Sequence, residues 1–143
     1  MEITRQADYA VRAVLEIARL PHGQRVSTSD IAKTQQIPPT FLAKIVAQLA
    51  VSGILNTTRG ARGGVTLARP PAEINLLEVI EAIDGPLTLN ACVSDPTVCA
   101  MGTDCPVHGI WCEAQSGLSA RLRATNFAQL IDGNHGGGVT LAP

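Results

Sequence analysis

All four cysteines of this 143-residue chain lie between residues 92 and 112, as Cys92-x6-Cys99-x5-Cys105-x6-Cys112, and His108 follows Cys105 as C-x2-H. Thiolate and imidazole are ligands for transition metals. Zinc fingers and ribbons contain a close C-x2–4-C pair, and this stretch has none. Thiolates spread along a flexible segment instead suit an iron–sulfur cluster, a wider object than one ion, and Pro96, Gly102 and Pro106 let the segment curve. The same thiols could also act without metal, through sulfenate or disulfide states. In a different class, the segment could belong to a small iron–sulfur electron carrier. Four cysteines can pair as disulfides in three ways, which a reducing compartment disfavours.

These side chains carry unequal weight. Cys112, on an apolar-rich helix, reads by itself as a small buried hydrophobe. His108 alone reads as a half-exposed helix residue, and Trp111 as core or dimer interface. Cys92, Cys99 and Cys105 have no comparable structural use in a reduced loop. Cys105 precedes Pro106, the expected start of a helix, where the helix dipole and free N–H groups favour thiolate. His108 and Cys112, three and seven residues on, then share a helical face with it.

The elements that must position this stretch follow from periodicity and breakers. Residues 4–20 carry apolar residues at helical spacing, with Thr4 as a cap and Pro21 and Gly23 as the stop. Ser27 and Asp30 start a short helix over 27–34 in a capping-box pattern. "QQIPP" then breaks the chain, and Pro39 suits the first turn of a third helix over 39–52, ended by Gly53. "ILNTT" and "VTLAR" are β-prone, and "RGARGG" joins them as a hairpin tip. Asn75 and Glu78 cap a helix over 76–83. The cysteine stretch is expected to be loop as far as Cys105. Pro106 then opens a long helix to Ala124, striped by Val107, Ile110/Trp111, Ala114, Leu118 and Leu122. Thr125 is expected to cap a last short helix, and the Gly-rich tail is expected to be mobile. "GGVTLARP" at 63–70 returns as "GGVTLAP" at 137–143, a repeat too short for a solenoid.

Charge divides the chain in two. Residues 1–70 hold nine Lys/Arg against four Asp/Glu, and residues 71–143 hold two against eight. A basic half beside an acidic one points the first half at a polyanion. Helix, short helix, tight turn, helix and hairpin is the order of a winged helix-turn-helix, whose third helix enters the major groove by its N-terminal residues. Here those are Pro39, Thr40 and Phe41, with Lys44 one turn on. Thr40 can donate to a base or phosphate, Phe41 can touch a thymine methyl, and Lys44 can bind guanine or phosphate. Arg59, Gly60 and Arg62 form the wing tip, where arginine suits phosphates and the minor groove.

Other functions find little support. No triad, phosphate loop or persuasive carboxylate pair is present. Glu78 and Glu81 read as a solvated helix face, so an enzyme is not expected. The first residues lack a signal peptide's unbroken apolar run, and no stretch reads as a membrane span. The expected setting is the cytoplasm, with no membrane partner.

"DYAVRA" (8–13), "IPPTFLAKIVAQLAVSGIL" (37–55), "RGARGGVTLARPP" (59–71), "INLLEVIEAIDGP" (74–86) and the three-cysteine loop together resemble the iron–sulfur winged-helix transcription regulators of the IscR, NsrR and RirA type, the Rrf-two family. The likeness runs to about residue 131. It implies a mainly α fold with a small β-hairpin wing and a long dimerisation helix. It also implies a homodimer on a near-palindromic operator in double-stranded DNA, with affinity set by an iron–sulfur cluster that answers to iron, redox state or nitric oxide. The organisation it implies is a DNA-binding domain over 1–86, a cluster loop over 87–105, a dimerisation helix and short terminal helix over 106–131, and a flexible tail over 132–143. The cluster cysteines correspond to Cys92, Cys99 and Cys105. The fourth ligand of the IscR type falls on His108, and a carboxylate donated by the partner's first helix in other members falls on Asp8. The first cysteine gap is one residue longer than in the IscR and NsrR types, and Cys112 stands where arginine is common. The fourth ligand therefore stays open among His108, Cys112 and Asp8, while C-x2-H favours a 2Fe–2S over a 4Fe–4S cluster.

Overall fold

The first helix, α1 (Arg5–Ala18), starts where the Thr4 hydroxyl accepts the Ala7 N–H at 3.2 Å. The computed structural model describes residues 2–133. Ala7, Ala10, Ala13, Val14, Ile17 and Ala18 form the buried face of α1. Four alanines on that face keep it narrow, and the later helices α2 (Thr28–Gln35), α3 (Pro39–Val51) and α4 (Leu76–Asp84) pack against it. The Thr4 N–H and hydroxyl also hydrogen-bond Asp84, tying the start of α1 to the end of α4.

The Ser27 hydroxyl caps α2 by accepting the Asp30 N–H at 3.1 Å. The helix closes on Gln36, which takes a left-handed conformation with φ 53°. That is a strained position for a residue with a Cβ. Here it turns the chain sharply enough for Ile37 to be buried and to donate its N–H to the Ala32 carbonyl at 2.9 Å. Pro38 cannot continue α2, and Pro39 occupies the first turn of α3. Leu42, Ile45, Val46 and Leu49 face inward from α3.

Strands β1 (Leu55–Thr58) and β2 (Gly64–Leu67) pair antiparallel from Leu55–Leu67 to Thr58–Gly64. Val26 adds a bridge to Val65, exchanging both backbone hydrogen bonds with it. Asn75 caps α4 by accepting the Glu78 N–H at 2.9 Å. Glu78 and Glu81 are half-buried structural groups rather than a solvated face. Glu78 pairs with Arg69 at 2.8 Å, and Glu81 accepts the Leu87 N–H at 3.1 Å.

Beyond α4 the character of the chain changes. The cysteine stretch is built of short helical turns rather than open loop: α5 (Ala91–Ser94), then 3-10 turns at Pro96–Val98 and Gly102–Asp104. The long helix α6 (His108–Arg123) begins two residues later than Pro106 predicts. The His108 N–H bonds back three residues to the Cys105 carbonyl at 3.1 Å, so the entry is a tight turn and Cys105 stays extended outside the helix. No residue from 81 to 124 is buried.

The last helix, α7 (Phe127–Ile131), returns to the winged body. Its cap is Asn126, not Thr125. Asn126 and Gln129 form a reciprocal capping box, while the Thr125 hydroxyl donates to the Arg121 carbonyl of α6. Leu76 N–H donates to Thr125 O at 2.8 Å and Phe127 N–H to Ile74 O at 3.1 Å, so Phe127 is fully buried in the core formed by α1, α3 and α4. Of the proposed tail, residues 134–143, including the second copy of the repeat, lie outside the described residues.

Candidate nucleic-acid interface and cysteine site

The third helix presents Pro39, Thr40, Phe41 and Lys44 to solvent, because its apolar positions turn inward and leave this edge outside. Phe41 is 45% exposed, with its ring tilted against Tyr9 at a centroid distance of 6.4 Å. Tyr9 carries the Arg12 guanidinium over its ring at 5.3 Å, a cation–π arrangement. Arg12 also donates to the Gln35 carbonyl in the helix-turn-helix turn. These contacts brace Phe41 from α1.

The wing tip is glycine-dependent at two positions. Gly60 has φ 104°, and a Cβ on Gly63 would lie 2.2 Å from the Thr58 carbonyl oxygen. Arg59, Gly60 and Arg62 are exposed there. The sequence reading passed over Arg25, whose guanidinium donates to the Arg62 carbonyl at 3.0 Å and fastens the tip to the chain before α2. It also passed over the hydroxyls of Ser27, Thr28, Thr57 and Thr58, which line a cleft of about 420 Å³ between the helices and the wing. The two adjacent threonines of β1 and the cap position of Ser27 were the available signals. A cleft edged by hydroxyls, glycine backbone and Arg59 offers hydrogen-bond donors of the kinds that hold phosphate oxygens.

The cysteine segment is tied to both its neighbours. Gln115 of α6 accepts the Leu89 N–H at 2.6 Å and donates to the Leu87 carbonyl, clamping the chain just before α5. Cys92 lies in α5, and Cys99 and Cys105 follow the two 3-10 turns. All four cysteines are free thiols; Cys99 is exposed, and Cys92, Cys105 and Cys112 are half-buried. Two hydrogen bonds from Thr97, hydroxyl first and N–H second, hold the Asp95 carboxyl below its usual value.

The structure brings His108 and Cys112 together, with Nε2 and Sγ 3.6 Å apart. It does not bring Cys105 onto their helical face. Among the described residues, no three His, Cys, Asp or Glu side chains are grouped to hold a metal ion. Asp8 is exposed and paired with Arg12 at 3.6 Å. Even so, the donor chemistry fits an iron–sulfur cluster. Three solvent-reachable thiols sit on successive short turns beside α6, and His108 Nδ1 is buried with no hydrogen-bond partner.

Over residues 3–133 the chain matches the Rrf2 family, described as an iron-dependent transcriptional regulator. The chain belongs to the Rrf2 family. An HTH-type transcriptional regulator of Mycobacterium tuberculosis strain H37Rv is 32% identical over 133 residues, covering 93% of this chain and 83% of that protein. One from Azotobacter vinelandii is 31% identical over 153 residues, covering 99% and 93%. Among solved structures, a transcriptional regulator from Listeria innocua superposes with TM-score 0.82 at 23% identity, covering 100% of this chain and 93% of that one. CymR, the global cysteine regulator of B. subtilis, gives 0.76 at 23%, covering 92% and 97%. IscR of T. potens gives 0.72 at 22%, covering 100% and 93%. These structures share the fold. This Rrf2 protein is a transcriptional regulator with a DNA-binding winged-helix fold, and its family and relatives are regulators rather than enzymes. No helix among the described residues is long and apolar enough to cross a membrane.

Proposed function

We propose that this Rrf2 protein is a cytoplasmic homodimeric regulator whose affinity for a near-palindromic DNA operator is set by an iron–sulfur cluster. The ligands in this reading are Cys92, Cys99, Cys105 and His108, and the C-x2-H spacing favours 2Fe–2S. The observation that carries it is the arm over residues 85–124. It buries no side chain, yet it concentrates every thiol of the chain. A segment without a core of its own takes its order from what binds it. Bound there, the cluster supplies iron–thiolate bonds whose presence depends on iron and on the redox surroundings.

The chain's own residues do the rest. Pro39, Thr40, Phe41 and Lys44 enter the major groove, while Arg59, Gly60 and Arg62 reach the backbone or minor groove. Along α6, Ile110 is 59% exposed and Trp111 37%. A second copy covering these side chains removes apolar surface from water and sets the distance between the two winged bodies. Gln115 fixes the start of the cysteine segment to that same helix, so ordering the segment bears on the dimer geometry and the half-site spacing.

Protein purified without oxygen and analysed for iron, acid-labile sulfide and visible absorption tests the reading. Brown protein carrying both supports it. Colourless protein whose DNA binding responds to peroxide supports the metal-free thiol switch instead. Cluster-bearing protein without salt-dependent duplex binding would point to the electron carrier.

A further inference from the structure

His108 opens α6 and Cys112 sits one turn on, with Nε2 and Sγ 3.6 Å apart. A tetrahedral metal holds imidazole nitrogen at about 2.0–2.1 Å and thiolate sulfur at about 2.3 Å, which separates the two donors by about 3.5–3.6 Å. The pair already has the spacing of a chelating arm, and one helical turn maintains it rather than a loop conformation. Cys112 is half-buried on a helix that buries nothing, so it does not serve as a small core hydrophobe.

We propose that His108 and Cys112 form one bidentate arm for iron, making Cys112 a ligand alongside His108. This rests on the cluster reading above and revises its ligand set, Cys112 taking the place of one of the three loop thiols because a cluster takes four protein ligands. With Cys92, Cys99 and Cys105 the chain then offers five donors, where a cluster takes four protein ligands. Loss of either arm residue leaves four donors; loss of both leaves three.

The test uses full-length protein reconstituted without oxygen from ferrous iron and sulfide, as wild type, His108→Ala, Cys112→Ala and the double variant. Circular dichroism confirms that each folds. Each single variant is expected to keep iron and sulfide while its sulfur-to-iron absorption bands and reduced-state electron paramagnetic resonance change. The double variant is expected to lose iron to a chelator at least about tenfold faster than wild type. A thiol that only packs against His108 leaves the Cys112→Ala spectra at wild type. That result, or loss of the cluster from His108→Ala alone, overturns the bidentate arm and leaves the cluster reading standing. A wild type that takes up no iron and no sulfide overturns both.

Discussion

The winged body and the cysteine arm are built on opposite principles. The body, from α1 to α4 with α7 returned to it, seals Val14, Ile31, Leu42, Ile45, Leu49, Ile54, Val65 and Phe127 into one core. The arm, from residue 85 to 124, seals nothing and holds its shape by short turns and the Gln115 clamp. Apolar burial is the main favourable term in folding, so the body supplies its own order, and in the proposed function the arm takes further order from what binds it. This division suits a regulator: a rigid part to read DNA, and a part of low intrinsic stability to respond.

The sharpest way to break this comparison is Phe127→Ala. The ring is fully buried, and its loss is expected to cost about 3–5 kcal/mol in denaturant unfolding. A cost near that of a surface change would mean α7 is no part of the body. On the arm, Trp111→Ala is expected to leave the body's unfolding within about 0.5 kcal/mol of wild type. It should weaken the proposed dimer by about 2 kcal/mol, roughly thirtyfold in Kd by analytical ultracentrifugation. The reverse pattern would make α6 an internal helix. Arg59→Ala with Arg62→Ala is expected to weaken duplex binding about tenfold at low salt and to flatten the log–log salt slope by nearly 2. Unchanged slope would remove the wing tip from the interface. Asn126→Ala removes the capping box of α7 and is expected to cost about 1 kcal/mol.

The smallest effect is in the arm. Thr97 holds the Asp95 carboxyl low, so the turn is stabilised above the ordinary carboxylate value of about 3.9 and loses that stabilisation as pH falls through the lower folded value. The Thr97 amide resonance is expected to titrate below that ordinary value. Titration at or above it would show the turn to be open in solution.

Much of the body was legible because its determinants are local. Thr4, Ser27 and Asn75 cap the helices they were read to cap, and Pro39 takes the first turn of α3. The return of Phe127 was not legible, since it depends on pairing with Ile74 and Leu76 some fifty residues earlier. Asn126 and Gln129 carried the capping-box spacing in plain view, but Thr125 was the nearer residue of suitable type. In the arm, four-residue α5 and the 3-10 turns are too short to show a period. The His108–Cys112 contact follows from i,i+4 spacing, whereas Cys105 was lost from that face by a tight turn at Pro106 that spacing does not reveal.

The central claim is that the arm's occupancy reaches the DNA-reading body. Its most direct test is the affinity of cluster-loaded and cluster-free protein for one duplex selected from a random pool, at one salt concentration and without oxygen. The account predicts that the two forms differ by about tenfold or more. Equal affinity of two folded, dimeric forms, one carrying iron and sulfide and the other free of both, would contradict it.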